Sequence, residues 1–280
     1  MKRRDIQISG FTAQGPRRYQ QDAFQIACTT WGAVIGAVAD GVGACARSGE
    51  ASRLAVNHLV TGLRACGGPE LPLLAALLSQ CVKRANDAIE CLCEEINDDA
   101  ATTLTWFCVQ DDQLDIHWIG DSPGFLIRDN RIHPLTLEHS LAGDFCRMRG
   151  RLSHMGKKTP ESNTITRWLG SGHSLDDQRR VPIQPGDEVL ICTDGVTKSL
   201  GPEHLVAEVK DLREREIPFE AWAQTIVELA IEHGSKDNAT AVFYRHTSTP
   251  ELEPVTDSYF TTLMNTRILR GDATDSPQGP

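Results

Sequence analysis

The chain has 280 residues, of which 40% are hydrophobic, so it can form one large domain with a substantial core or two small ones. Its formal net charge of -10 and its pI near 5.4 argue against a nucleic-acid partner, because proteins that bind phosphate backbones concentrate Lys and Arg on one face.

The N-terminal residues and the cysteines indicate which cellular compartment the protein occupies. Met1-Lys2-Arg3-Arg4 is basic, but Asp5 follows instead of an apolar run, so no signal peptide is predicted. No segment approaches the ~18 apolar residues of a membrane span, and we expect no membrane partner. Nine cysteines in a leaderless chain are interpreted as reduced thiols. These features predict a cytoplasmic protein.

The first third of the chain is predicted to form strands and then two helices. The strands are apolar runs, and the helices carry apolar residues at spacings of three and four. The predicted segments are strands at 6–11, 23–28 and 33–39, one helix from about Ser48 to Gly67-Gly68-Pro69, and a longer helix spanning Leu73 to Ile96. Two such helices form an apolar layer that requires a sheet to pack against.

Strands return in the second half. They are predicted at 103–109, 114–119, 125–128, 189–193 and 239–244, with helices near 203–209 and 219–232. Turns at Asp111-Asp112 and Asp129-Asn130 make consecutive strands antiparallel, which argues against a doubly wound parallel sheet. The weakly patterned, basic residues 138–180 are predicted to form a surface subdomain. Residues 247–280, rich in Thr, Pro, Ser and Asp, predict a mostly disordered tail.

Five aspartates stand at the ends of predicted apolar strands, most of them beside a Gly, Asn or Ser. They are Asp22, Asp40, Asp121, Asp194 and Asp237. Carboxylates offered from strand ends can converge on one spot without crowding their backbones. Such oxygen-only clusters suit Mg²⁺ or Mn²⁺, whereas Zn²⁺ would require Cys or His at ligand spacing. The alternative is that each Asp-Gly pair is an ordinary structural turn.

Taken in order, these motifs resemble the metal-dependent Ser/Thr protein phosphatases of the type 2C family in their compact bacterial form. The resemblance covers about residues 8–246. It is carried by Arg17-Arg18-Tyr19-Gln20-Gln21-Asp22, Val38-Ala39-Asp40-Gly41, Thr102-Thr103-Leu104, Ile119-Gly120-Asp121-Ser122, His139-Ser140, Asn163-Thr164-Ile165-Thr166, Cys192-Thr193-Asp194-Gly195 and Lys236-Asp237-Asn238.

The resemblance implies an α+β fold, a four-layer α-β-β-α sandwich of two antiparallel sheets flanked by paired antiparallel helices. It implies one catalytic domain at 1–246, with a flap subdomain at about 138–180 and the tail at 247–280. The metal ions are expected at one edge, between the sheets.

The resemblance also implies a function, the hydrolysis of phosphoserine and phosphothreonine in proteins by a water activated at two, or with a weaker site three, Mn²⁺ or Mg²⁺ ions. The implied catalytic residues are Asp40, which bridges two ions, Asp194 and Asp237. The implied metal ligands are Asp22, acting through waters, Asp40, the Gly41 carbonyl, Asp121, Asp194 and Asp237. The implied phosphate-binding residues are Arg17 and Asn238.

Several positions depart from the family pattern. Gln20 and Gln21 precede Asp22 where relatives have Asn and, in some cases, Glu, and Val42 stands where many relatives have a proposed general-acid His. The expected partners are phosphorylated proteins and a cognate Ser/Thr kinase, and the chain is expected to be a monomer. Two alternatives remain, a catalytically weak pseudophosphatase that acts as a scaffold and a metal-dependent hydrolase of small phosphate esters.

Overall fold

A computed structural model of the chain describes residues 6–66, 71–149, 164–170 and 176–247, with the backbone alone at 71–75. Two antiparallel five-stranded sheets form its centre. The first, the β1 sheet, has the order β1 (Gln7–Ala13), β10 (Ala239–Arg245), β9 (Glu188–Cys192), β6 (Gly124–Arg128), β7 (Arg131–Pro134). The second, the β2 sheet, has the order β2 (Asp22–Cys28), β3 (Val34–Asp40), β4 (Leu104–Gln110), β5 (Gln113–Ile119), β8 (Asp177–Pro182).

Helices cover the outer face of each sheet. Two long helices, α1 (Ser48–Arg64) and α2 (Leu71–Ile96), pack on the β2 sheet, and α5 (Pro202–Glu214) and α6 (Trp222–Glu232) pack on the β1 sheet. Two short helices lie in connecting segments, α3 (Leu141–Met148) between β7 and β8 and α4 (Asp194–Thr197) between β9 and α5. The predicted fold class, two antiparallel sheets between helices, is confirmed.

Strand alternation divides the core into three apolar layers. Trp106 and Phe107 are neighbours on β4, and their side chains point to opposite faces. Trp106 packs under α1 and α2, whereas Phe107 packs between the sheets. On β10, Val242 likewise faces the opposite sheet and Phe243 faces Trp222 of α6. Both sheets are therefore buried on both faces, which explains why their central strands are near-continuous apolar runs.

The sequence did not predict four elements of the structure, and the short helix α4 after Asp194 is one of them. Another is β8, which pairs with β5 as a charged edge strand and is held by Arg180, whose Nε and Nη2 donate to the Asp115 carboxylate at 2.7 and 2.9 Å. Residues 177–180 therefore belong to the β2 sheet and not to the flap at 138–180. The others are β7 and α3, whose N-cap Ser140 accepts a hydrogen bond from Gly143 N.

Several predictions lie outside the described residues. These are the tail at 248–280, the basic N-terminal residues 1–5, the Gly67-Gly68-Pro69 stop, and the parts of the flap at 150–163 and 171–175. Across the part of the chain that is described, no helix combines the length and apolar character needed to span a membrane.

Candidate active site

The five predicted aspartates lie at one edge of the sandwich. Asp22 begins β2 and Asp40 ends β3, and the two are direct partners across the strand pair. Asp121 follows β5, Asp194 follows β9, and Asp237 precedes β10. In antiparallel sheets the end of one strand and the start of its neighbour share an edge. Both sheets therefore contribute carboxylates to the same place, and these carboxylates interact electrostatically with one another.

Asp22 joins the two sheets beneath this edge. Its Oδ2 accepts hydrogen bonds from the hydroxyls of Thr193, at 2.8 Å, and Thr240, at 2.7 Å, which belong to the opposite sheet. Burial raises the pKa of Asp22 to about 7, against the lowering effect of the two hydroxyls. Asp22 Oδ2 therefore has a structural role between the sheets, and the expected role of Asp22 in holding waters behind a metal ion stays a prediction.

The backbone around Asp40 is fixed from two sides. Asp40 N donates to Thr103 Oγ1 at 2.9 Å, and Thr103 N donates to the Asp40 carbonyl at 2.8 Å. The next residue, Gly41, donates from its N to the Gln21 carbonyl at 3.1 Å. A Cβ at Gly41 would lie 2.7 Å from the Ser48 carbonyl oxygen, so only glycine fits. These contacts fix the backbone that carries the Asp40 carboxylate at the edge of the sandwich.

Asp194 begins α4 at a close crossing of two backbone segments. A Cβ at Gly195 would lie 1.8 Å from the Asn238 carbonyl oxygen, so the packing of the two segments requires glycine after Asp194. Asp194 Oδ2 contacts the Lys198 ammonium. Its Oδ1 is buried and, within the described residues, has no hydrogen-bond partner. Desolvation and the Asp194 charge raise the pKa of nearby Asp121 to about 8.

Asp237 is paired with the predicted phosphate-binding arginine. Arg17 Nη2 donates to Asp237 Oδ2 at 2.7 Å, and Arg17 Nε donates to the Lys236 carbonyl at 3.0 Å. The Asp237 Oδ1 accepts from Asn238 N at 2.9 Å. The Arg17 side chain is 45% exposed, so the guanidinium lies at the surface of the site.

Asn238 has a different role from the one that we predicted. Its Oδ1 accepts from Gln21 N at 2.8 Å, and its Nδ2 donates to the carbonyls of Gln14, at 2.7 Å, and Tyr19, at 3.0 Å. Because both amide hydrogens are already used and the residue is buried, Asn238 has no donor left for a phosphate. It holds the 14–21 loop, and with it Arg17, against β10.

The carboxylates have the chemistry of a divalent-cation site. Desolvation, and then the charges of Asp22, Asp194, Asp121 and Asp237, raise the pKa of Asp40 well above its usual range. Buried carboxylates that repel one another gain by binding a cation, and an oxygen-only set with an unpartnered buried oxygen at Asp194 suits a hard ion.

No three acidic, His or Cys side chains of the described ranges converge on one point as they stand. Two of the carboxylates are instead turned toward cationic side chains, Asp194 toward Lys198 and Asp237 toward Arg17. A divalent ion would therefore share these carboxylates with the basic side chains that they contact.

Sequence reasoning missed the supporting residues of this site. It assigned no role to Lys198, although the four-residue spacing from Asp194 was a readable signal. It also gave His139 no role beyond its place in the His139-Ser140 motif. His139 Nδ1 accepts from Gly120 N at 3.0 Å, and its own N donates to the Gly120 carbonyl at 2.8 Å. His139 thus fixes the turn that carries Asp121, a contact between distant segments that spacing does not reveal.

The comparisons with known proteins agree with this geometry. The family model described as Protein phosphatase 2C matches residues 16–236. The chain belongs to this family. Protein phosphatase 2C enzymes are metal-dependent. Protein phosphatase PhpP of Streptococcus pneumoniae is 30% identical over 140 residues, which are 50% of this chain and 55% of that protein. The chain thus spans about half the length of the curated streptococcal relatives that it matches.

Solved structures of protein phosphatase 2C type share the fold over nearly their whole length. The Ser-Thr phosphatase MsPP from Mycobacterium smegmatis, in complex with cacodylate, is 30% identical with a TM-score of 0.73, covering 85% of this chain and 97% of that one. The catalytic domain of the phosphatase PstP, in complex with two manganese ions, is 24% identical with a TM-score of 0.71, covering 87% and 99%. At that identity the second match shows the fold alone.

The metal-free protein is predicted to lose stability as the pH rises. The pKa of Asp22 is about 7 in the folded chain against an ordinary 3.8, so between these values the folded state binds more protons than the unfolded state. Stability therefore falls through this window and is lowest above pH ~7. Thermal melts in EDTA from pH ~5 to ~8 should show a falling midpoint, and Asp22→Asn should flatten this slope.

The matched control for this measurement is Asp87→Asn, because Asp87 has a half-exposed side chain on α2 that pairs with Lys83, far along the chain from the five aspartates. This variant should keep the wild-type slope. A wild-type midpoint in EDTA that rises or stays level across the window would contradict the raised pKa of the buried carboxylates.

Proposed function

We propose that this chain hydrolyses phosphoserine and phosphothreonine in proteins with the help of divalent metal ions, Mn²⁺ or Mg²⁺. The observation that carries the proposal is the arrangement of five carboxylates from both sheets at one edge, with an arginine at its surface. Membership of the protein phosphatase 2C family and the Ser/Thr phosphatases among its relatives support the same reaction.

Bound Mn²⁺ or Mg²⁺ would supply the Lewis acidity that polarises a phosphoryl oxygen and lowers the pKa of water. The residues that would hold two ions are Asp40, the Gly41 carbonyl, Asp194 and Asp237, with Asp22 behind them and Asp121 beside Asp194. Asp40 would be the shared ligand, because its carboxylate interacts with all four of the other aspartates. Asp22 keeps the two sheets in register beneath the ions through its threonine bonds.

Arg17 would bind and orient the phosphate. A guanidinium carries five N–H donors, and the contacts to Asp237 and to the Lys236 carbonyl use two of them. The remaining donors of a half-exposed side chain can bind two oxygens of a phosphate, a geometry that lysine cannot supply. Arg17 also places a positive charge at the surface of the site, where an incoming anion would approach the Asp237 carboxylate.

The proposal also covers the oligomeric state of the enzyme, its partner kinase and its compartment. One chain supplies all five carboxylates and Arg17, so the site needs no second copy, and we propose a monomer. A cognate Ser/Thr kinase must create the substrates that such an enzyme consumes. No disulfide joins any of the nine cysteines, which is typical of a reducing compartment and supports a cytoplasmic location.

We expect activity on an aryl phosphate and on a phosphothreonine peptide in Mn²⁺ or Mg²⁺ and its loss in EDTA, because the proposed nucleophile is a water that the metal ions activate and not a side chain. Asp40→Asn should lower kcat by several orders of magnitude, since a ligand shared by two ions is lost. Asp211→Asn removes an exposed carboxylate that pairs with Arg215 and should have the wild-type rate.

The outcomes separate the alternatives. Activity that persists in EDTA, or an Asp40→Asn variant that keeps the wild-type rate, would refute the metal-dependent site. Hydrolysis of small esters without hydrolysis of phosphopeptides would favour the small-ester alternative. A protein that binds Mn²⁺ but hydrolyses neither substrate would be a pseudophosphatase.

Replacing Arg17 should affect substrate binding more than turnover. The guanidinium would contact the phosphate in the ground state as well as in the transition state, so Arg17→Ala should raise KM for a phosphopeptide about tenfold, or ~1.4 kcal/mol, with a smaller effect on kcat. Arg18 is the matched control, because its guanidinium lies 5.1 Å from the Tyr19 ring centre and not at a carboxylate. A rise in KM in Arg18→Ala alone would overturn the assignment.

A further inference from the structure

Lys198 provides a positive charge at the carboxylate edge. It follows α4 directly and stands four residues after Asp194, so both side chains lie on one face of the turn. Its ammonium contacts Asp194 Oδ2 and also interacts electrostatically with Asp121 and Asp40. Arg17, by contrast, pairs with Asp237 at the outer side of the site. Lys198 therefore faces the side of the site where Asp194 and Asp121 meet.

The surroundings of Lys198 differ from those of an ordinary surface pair. Lys210 and Glu214 on α5 have the same four-residue spacing, with side chains 53% and 65% exposed, and such pairs contribute little to stability. The Asp194 side chain is only 14% exposed and repels neighbouring carboxylates. The ammonium beside it offsets a desolvated charge that water screens poorly.

The two oxygens of Asp194 have different partners. Oδ2 contacts the Lys198 ammonium, whereas Oδ1 is buried and lacks a hydrogen-bond partner within the described residues. This division lets one carboxylate serve two cations at once, an ammonium on one oxygen and a metal ion on the other.

We propose that Lys198 is a built-in counter-cation of this site, whose ammonium takes the place of a further divalent ion between Asp194 and Asp121. The inference rests on the proposed two-ion function. The chain then needs two metal ions, on the side of Asp40 and Asp237, and the protein itself offsets part of the negative charge on the Asp194–Asp121 side. Lys198 is a positioning residue, because it acts through Asp194 and not on the substrate.

The test is to count Mn²⁺ ions per chain by calorimetric titration and to measure thermal midpoints in EDTA at a fixed pH. Wild type should bind two ions. Lys198→Met, which removes the charge but keeps an apolar stem, should bind one additional, weaker ion and melt several degrees lower in EDTA. Lys198→Arg should restore the count of two. Lys210→Met is the matched control and should behave as wild type in both measurements.

Each other outcome counts against the inference. An unchanged ion count together with an unchanged EDTA midpoint in Lys198→Met would overturn it. Tighter Mn²⁺ binding by Lys198→Met without an additional ion would show that Lys198 competes with the same two ions for the carboxylates. That result would also overturn the inference. If Lys198→Met does not fold in EDTA, the count is made on Lys198→Gln folded in excess Mn²⁺. A wild-type chain that binds no Mn²⁺ would refute the proposed function itself.

Discussion

Repulsion among carboxylates at one edge of the sandwich is the constraint on which the rest of the site depends. Desolvation, and then the charges of Asp22, Asp194, Asp121 and Asp237, raise the pKa of Asp40, so the fold assembles charges that would separate if they were free to move. The binding of cations to the metal-free site would therefore relieve this repulsion. The same repulsion explains why Asp194 and Asp237 are turned toward basic side chains.

The fold resists this repulsion through contacts that do not themselves involve a cation. The Asp22 carboxylate accepts hydrogen bonds from Thr193 and Thr240 and so links the two sheets where the charges are densest. The glycines at 41 and 195 allow backbone segments to pass at distances that a Cβ would forbid. Three apolar layers behind the edge keep both sheets rigid, because side chains packed on both faces of a strand leave it little freedom.

Much of the fold and part of the site could be predicted from the sequence. The central strands are apolar runs that end in an aspartate, and that local pattern located Asp40 and Asp194 correctly at strand ends. The charged edge strand β8 gave no such signal, because it is stabilised by a cross-strand ion pair and not by burial. The contacts of Asn238 with the 14–21 loop and of Lys198 with Asp121 and Asp40 could not be predicted, because they depend on which distant segments the fold brings together.

Anomalous diffraction from crystals grown with Mn²⁺ would locate the ions. Two manganese peaks are expected at the edge between the sheets, one on each side of the Asp40 carboxylate, with Asp194 and Asp237 among the ligands. The absence of manganese at this edge, or ions bound elsewhere and not contacting Asp40, would contradict the claim that these carboxylates form one metal centre.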